Sequence, residues 1–456
     1  MSPKGFAVGM RRPHHQIAAG LLTTWALLLV PSLAQAQTPD STGTGADGTP
    51  EVLSGDKPQE NGIKIGPGRL HLYITEELEY NSAAVVLPTA GTTGNYALQG
   101  EMILHTRPGL NLEIDGDNNS FGLSGDVDYL WYTGWITPND GNASRLDAAA
   151  DLHGAFNKNG VIGFNIGDTF SRSANTYTPS VPVGVISLYN QARLEVPIRP
   201  GGGALEIVPH AAYGVELFTQ YSGVTPGNPA CTDPTSPCNP ANLSQYNYQD
   251  LTSGLDVRWK FLPQTAFLFT SSYDARFYSD TTVNPNASEL KLQVGMAGLI
   301  TTKLAVILKA GWAQGFGVGH LSTVIGQAEV KWLPTELSSL AVGFLRDVFP
   351  VSGNGSYIDD RPYINGKIFL GGRLSLSLTV SYDFFDFAQG DPTEPTTSRN
   401  DTQLSGNFLC EYQVFRWFIV GAGFIINHHT STGADSEDNA LNYTQYQPYV
   451  QVTFTY

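Results

Sequence analysis

Apolar and polar residues alternate along most of this chain, from about residue 69 to its last residue. In residues 373–384, Leu, Val, Tyr and Phe take every second position, and Arg, Ser, Thr and Asp take most of the others. Residues 446–456 repeat the alternation with Gln and Thr as the polar partners. Successive side chains of a β-strand point to opposite faces, so a period of two predicts strands with one apolar and one polar face. The chain is therefore predicted to be all-β.

Breaks in the alternation are short and long in turn, which predicts how the strands are joined. Short breaks such as residues 371–372 alternate with longer polar ones such as residues 221–246, making eight short and nine long connections. Tyr96–Asp115 is kept as one strand because the apolar phase continues through Pro108. This layout predicts a single transmembrane antiparallel β-barrel of about 18 strands, with 16 strands as the alternative. Its turns are expected to be short on the periplasmic side and its loops long on the extracellular side.

The tryptophans after residue 36 favour a membrane barrel over a soluble β-sandwich or propeller. Three lie beside short breaks and three near long ones: Trp259, Trp332 and Trp417 in the first group, Trp131, Trp135 and Trp312 in the second. Two aromatic belts at the two membrane interfaces would give this distribution. The longest uncharged apolar stretch, residues 417–426, is about half of the ~20 residues that a spanning helix needs.

The first 36 residues have the parts of a secretory signal peptide. A basic start with Lys4, Arg11 and Arg12 precedes an apolar run over residues 17–33, which ends in the small-x-small pattern Ala34-Gln35-Ala36. An uncleaved N-terminal anchor is the alternative. We predict cleavage after Ala36 and a location in the outer membrane of a Gram-negative bacterium. Residues 37–68, rich in Thr, Gly, Asp and Pro, are predicted to be a flexible periplasmic linker, and residues 69–456 the barrel.

Charge is scarce and acidic in this chain. Only 14% of the residues are charged, with 41 acids against 25 bases and a formal net charge of -16. Loss of Lys4, Arg11 and Arg12 with the signal peptide would take the net charge from -16 to -19. Nucleic acid is not expected as a partner, because binding it requires clustered bases. The scarcity of charge is expected if half of each strand faces the lipid of the outer membrane, where Arg or Lys costs roughly 2–4 kcal/mol at mid-depth.

The polar faces of the strands predict an uneven ring of charge around the bore. Acids dominate the first nine strands, and bases cluster later. The predicted acidic arc consists of Glu101, Asp126, Asp128, Asp147, Asp151 and Glu206. The predicted basic arc consists of Arg258, Lys260, Arg276, Lys309, Lys331 and Arg373. Opposed arcs would place a field across a water-filled pore and tune its selectivity. The alternative is that the charges pair within a packed interior.

Residues that could carry chemistry are few. Four histidines are predicted to point inward: His71, His105, His153 and His210. No Ser-His-Asp spacing stands out, so we expect no catalytic residue and no enzymatic activity, and we predict neither a cofactor nor a metal site. Cys231 and Cys238, in a Pro-rich loop, are predicted to form a disulfide in an oxidising compartment. Cys410 falls in the lipid-facing phase.

Both ends of the chain resemble a family of outer-membrane β-barrel porins. Gly-Ile-Lys-Ile-Gly-Pro at residues 62–67, running into residues 70–81, resembles the opening of that family. Residues 411–417 and 449–456 resemble its last hairpin. The C-terminus at Val452, Phe454 and Tyr456 also resembles the signal read by the barrel-insertion machinery.

Many members of that family are associated with exopolysaccharide export. The resemblance implies a non-enzymatic conduit that passes a secreted polysaccharide outward, with a periplasmic export partner. The alternative is a diffusion porin for small hydrophilic solutes. A third class, an adhesin or structural scaffold, predicts a plugged barrel.

Overall fold

The structure is a computed structural model. It describes residues 62–88, 96–136, 144–174, 185–221, 239–317, 321–335, 337–351, 355–387, 400–431 and 442–456. The predicted signal peptide, the predicted linker up to residue 61 and the Cys231–Cys238 pair lie outside these residues. Within the described ranges, no helix is long and apolar enough to cross a membrane.

Nearly all described residues belong to antiparallel strands. In chain order these are β1 (Ile63–Ile65), β2 (Gly68–Pro88), β3 (Tyr96–Asp115), β4 (Asn119–Tyr132), β5 (Arg145–Phe156), β6 (Phe164–Ala174), β7 (Val185–Glu195), β8 (Leu205–Tyr221), β9 (Tyr248–Leu262), β10 (Thr265–Tyr278), β11 (Ala287–Thr301), β12 (Leu304–Phe316), β13 (Ser322–Thr335), β14 (Ser338–Val351), β15 (Gly355–Leu370), β16 (Leu374–Phe387), β17 (Asn400–Phe415), β18 (Phe418–Ser431) and β19 (Tyr443–Thr455). A short helix, Pro240–Leu243, and a 3₁₀ turn, Ser244–Tyr246, precede β9.

Strands β2 to β19 form a closed 18-strand barrel. Each pairs with its neighbours in sequence, and β19 closes the ring on β2 with Tyr449 opposite Glu79. Strand β1 pairs with the start of β2 and falls within the range that the sequence assigns to the linker. The predicted strand number is confirmed. The continuity of β3 is confirmed as well, since only its ladder with β4 skips Pro108, which has no N–H to donate.

The connections sort by length between the two ends of the barrel, as predicted. Turns at one end are mostly two or three residues long, and the C-terminal end of β19 lies there with the start of β2. At one of these turns, Gly371 and Gly372 have φ of 58° and 70°, in the left-handed region that favours glycine. The longer connections mostly join the strands at the other end. The exceptions are residues 352–354 between β14 and β15, which form a short connection there, and residues 157–163 and 196–204, which form longer ones at the first end. We call the two ends the short-turn end and the long-loop end.

The outer surface of the barrel carries an apolar band between two levels of tryptophan. Trp312 is the cross-strand partner of Val324, and Trp332 lies eight residues further along β13. At ~3.3 Å per residue the two levels are about 26 Å apart along the strand. Leu308 lies midway between them and is 53% exposed. A band of this height matches the hydrocarbon-facing surface of a membrane barrel.

Candidate solute pathway

The register identifies which side chains line the bore, because cross-strand partners share a face. All six residues of the predicted acidic arc lie on the inward face of their strands. Asp128 stands opposite Asp147 in register, and Glu206 stands opposite Arg258. In the predicted basic arc, Arg258, Lys260, Arg276, Lys309 and Lys331 also face inward. Arg373 lies instead in the exposed turn between β15 and β16, at the short-turn end.

The acidic arc contains inward bases that sequence reasoning did not single out. Arg107 on β3 lies 3.0 Å from Asp128 and 3.8 Å from Asp126. Arg145 at the start of β5 lies 2.8 Å from Asp147. Both arginines occupy the same alternate positions of their strands as the predicted inward acids. The alternation in the sequence was therefore sufficient to identify them as inward.

The basic arc is likewise mixed. Inward acids stand beside further bases on the same side of the bore: Lys291 on β11 lies 3.2 Å from Asp347 on β14, and Arg361 on β15 bonds to both Asp359 and Asp383. Charges on the lumen wall therefore pair locally, which weakens the separation between an acidic and a basic side that the sequence predicts. The physical reason is that burying an unpaired charge is costly, so buried arginines such as Arg107 and Arg361 lie beside carboxylates.

One wall of the bore contains no inward Lys or Arg among the described residues, and its inward acids are Asp383, Asp401 and Glu411. The inward positions of β16 to β19 carry mainly hydroxyl and amide side chains: Ser375, Ser377, Thr379, Ser381, Gln403, Ser405, Asn407, Gln413, Asn427, Gln445, Gln447, Gln451 and Thr453. Tyr443 and Tyr449 face inward on the same wall. We call this surface the amide wall. Its groups can both donate and accept hydrogen bonds.

The two halves of the bore differ in their access to solvent. Towards the short-turn end, the inward side chains of Asn365, Lys367 and Thr379 are exposed. Towards the long-loop end, several inward side chains are fully covered, among them Glu289 and His429, which are both 0% exposed. The bore is therefore open to water at the short-turn end and more tightly packed towards the long-loop end.

A hairpin folded into the bore accounts for part of this tighter packing. Strand β14 pairs with β13 only as far as Arg346, but its pairing with β15 continues to Val351. Val348 and Ile358 occupy the alternate positions whose side chains face lipid elsewhere on β14 and β15. Here they pack instead against Ala313 and Ile325, on the inside of β12 and β13. We call residues 347–351 and 355–359 the lumen hairpin.

Contacts on several other strands hold the lumen hairpin in place. Besides the Lys291–Asp347 ion pair, Arg276 Nη1 on β10 donates to the Pro350 carbonyl at 3.3 Å. Val351 packs with Phe385, Phe387 and Tyr443 from β16 and β19. The hairpin thus reaches from one wall of the bore to another. A cavity of about 300 Å³ lies beside it, lined by charged side chains that include Asp274 and Lys309.

Where β14 leaves the wall, the uncovered backbone of β13 gains a new partner. Arg346 Nε donates to the Val324 carbonyl at 3.0 Å, and the same guanidinium pairs with Asp360 on β15. An unpaired strand edge would otherwise face lipid, where free backbone groups are costly. Strand β14 therefore bends into the bore without leaving the Val324 carbonyl unpaired.

A closed antiparallel barrel, an apolar outer band between tryptophan levels and a polar bore define the class of this protein: it is a membrane-spanning β-barrel of the outer-membrane type. No family model matches the chain, and no curated protein matches it in sequence.

Solved structures to which it is similar include transport receptors. The ferric enterobactin receptor of Pseudomonas aeruginosa is 9% identical with a TM-score of 0.41, over 84% of this chain and 81% of that one. The FrpB iron transporter of Neisseria meningitidis is 8% identical with a TM-score of 0.42, over 81% of this chain and 63% of that one. The siderophore receptor PirA of Acinetobacter baumannii is 7% identical with a TM-score of 0.40, over 84% and 80%. Similarity this low gives no guide to what the present barrel transports.

Proposed function

We propose that this protein is a non-enzymatic channel of the bacterial outer membrane that lets small hydrophilic solutes diffuse through its bore. One observation carries the proposal: the bore is lined by polar side chains that are open to water from the short-turn end, and the lumen hairpin narrows it towards the other end. Barrels of 16–18 strands are wide enough to leave an aqueous channel. A constriction within such a channel would set an upper limit on solute size.

We infer a location in the outer membrane from the apolar outer surface of the barrel together with the predicted signal peptide. Lipid of that membrane is the partner of the apolar band, and the barrel-insertion machinery is the partner expected to recognise the C-terminal strand. With short turns in the periplasm, the open half of the bore faces the periplasm and the hairpin lies near the cell exterior.

Export of a secreted polysaccharide is the second candidate function, and the amide wall favours it. Hydroxyl and amide side chains can exchange hydrogen bonds with successive sugar units, and tyrosine rings can stack on sugar faces. A polymer occupies the whole length of its path, so this function requires the lumen hairpin to move aside. It also requires a periplasmic partner that delivers the chain.

Conductance and sugar uptake test the first proposal. Purified protein in planar bilayers should give stepwise ion conductance, and proteoliposomes should swell in monosaccharides faster than in oligosaccharides. Replacing the exposed, inward Lys367 by Glu should shift ion selectivity towards cations, because the charge at the open half of the bore reverses. The matched control is Lys303→Glu, at an exposed turn position outside the bore wall, which should leave selectivity unchanged.

A barrel that conducts no ions and admits no sugar would refute the diffusion proposal. Deletion of the gene separates the second candidate from the first. Loss of surface polysaccharide in the deletion strain supports export, whereas unchanged polysaccharide together with slower uptake of small solutes supports diffusion.

A further inference from the structure

Three potential metal ligands meet on the lumen wall near the seam between β2 and β19. Glu77 and Glu79 alternate on the inward face of β2, and His105 on β3 lies directly opposite Glu77 in register. One carboxylate oxygen from each glutamate and one nitrogen of His105 all lie within 4.8 Å of one another. All three side chains are more than nine-tenths buried.

The histidine is oriented as a metal ligand would be. Its Nδ1 lies 3.0 Å from Asp128 Oδ2, and an ionised carboxylate can only accept, so the ring proton belongs on Nδ1. In the neutral ring with this tautomer Nε2 carries a lone pair that can bind an ion, and this buried atom makes no hydrogen bond. Nε2 points between Glu79 Oε2 at 3.6 Å and Glu77 Oε1 at 4.0 Å. Histidines that bind metals almost always donate their other ring N–H to a carboxylate or carbonyl in this way.

The two glutamates are oriented by contacts on their other oxygens. Glu79 Oε1 accepts a hydrogen bond from Gln447 Nε2 at 3.0 Å, across the seam on β19. Glu77 Oε2 lies 3.9 Å from Arg107 Nη2. Each glutamate therefore keeps its remaining oxygen turned towards His105 Nε2.

Distances within the cluster fit a shared ion better than direct bonds. Separations of 3.6 and 4.0 Å are too long for N–H···O hydrogen bonds. Two ligands at about 2.0–2.1 Å from one tetrahedral Zn²⁺ are roughly 3.4 Å apart, so small side-chain movements would suffice.

The local charge also favours a cation. Four carboxylates lie at the site, from Glu77, Glu79, Asp126 and Asp128, and they outnumber the two basic side chains among them, Arg107 and His105. The surplus of negative charge in a buried place is costly, and a divalent ion would offset it.

We propose that Glu77, Glu79 and His105 bind one divalent transition-metal ion of the Zn²⁺ type, with Asp128 and Gln447 holding the ligands in position. An imidazole nitrogen among the donors suits zinc and its neighbours in the first transition row, whereas Ca²⁺ and Mg²⁺ prefer oxygen alone. No metal site is predicted from the sequence, because the glutamates and the histidine lie on different strands and only the register of β2 with β3 brings them together.

The test uses the full chain in detergent micelles after metal removal, titrated with Co²⁺ and with Zn²⁺. We expect one equivalent of each to bind, with a visible Co²⁺ absorption band that Zn²⁺ abolishes. His105→Gln and Glu79→Gln should remove the band, and Asp128→Asn should weaken binding by about 10–100-fold.

The matched control is His153→Gln. His153 is also inward, and its Nδ1 lies 2.7 Å from Asp151, but no pair of glutamates stands at its other nitrogen among the described residues. This variant should bind as the unaltered protein does. Heat-modifiable migration on gels verifies that every variant is a folded barrel.

Absence of binding by the unaltered chain would overturn the proposal, and so would equal binding by folded His105→Gln protein. The first result would leave the cluster as an ion pair of His105 with its carboxylates, and the second would place the bound ion elsewhere in the protein. The titration is independent of conductance, so its outcome leaves the channel proposal untouched.

Discussion

Loosening the lumen hairpin should widen the channel. We consider the double variant Val348→Ala with Val351→Ala, which trims the hairpin on both of its faces. Val348 is 0% exposed against the inner side of β12 and β13, and Val351 is 1% exposed against aromatic side chains of β16 and β19. Neither valine lies in the regular wall of the barrel, so the change acts on the position of the hairpin.

The size of the effect follows from the apolar groups removed. Each Val→Ala change deletes two methyl-sized groups at about 0.8 kcal/mol each, so the pair lowers the burial energy of the inward position by about 3 kcal/mol. At 1.4 kcal/mol per tenfold, the ratio of open to closed hairpin should rise on the order of 100-fold. The Lys291–Asp347 pair and the Arg276 hydrogen bond to Pro350 remain and still favour the inward position.

Single-channel recording and liposome swelling measure this shift. The double variant should show long-lived states of higher conductance and should admit oligosaccharides that the unaltered channel excludes. Val342→Ala with Val324→Ala is the matched control, since these valines face lipid and are 51% and 64% exposed. The reasoning is refuted if the double variant keeps the same conductance and the same size limit as this control.

Two further predictions concern the charges of the bore and the lipid surface. Arg361→Gln leaves Asp359 and Asp383 buried without their shared partner and should lower the free energy of unfolding by about 3–5 kcal/mol in urea titrations; an unchanged midpoint would show that the two carboxylates are compensated in another way. Leu308→Arg, midway between the tryptophan levels, should lower the free energy of unfolding by about 2–4 kcal/mol in lipid vesicles. Ser322→Arg, at the tryptophan level near the long loops, should lower it by about 0–1 kcal/mol. Equal losses for the two variants would contradict the assigned depth.

Strand number and the two ends of the barrel were predictable from sequence, because they depend on residues adjacent in the chain. Alternation placed each strand's polar face, and the lengths of the breaks distinguished one end from the other. Partnerships across strands were less accessible. Arg107 contacts Asp128 because of the register in which β3 pairs with β4. A single sequence does not specify that register directly. The same limit concealed the contact of His105 with Glu79.

The lumen hairpin shows a second limit, since alternation reports which face is apolar and not what covers it. Val348 and Ile358 continue the apolar phase that faces lipid lower on β14 and β15, yet here the phase packs against the inside of the wall. An apolar side chain is equally well buried by lipid or by Ala313 and Ile325, so hydropathy cannot distinguish the two. What differs is the loss of pairing with β13 beyond Arg346, and that loss depends on contacts with strands distant in sequence. The narrowing of the bore is therefore a property of the tertiary structure, although each of its strands obeys the sequence pattern.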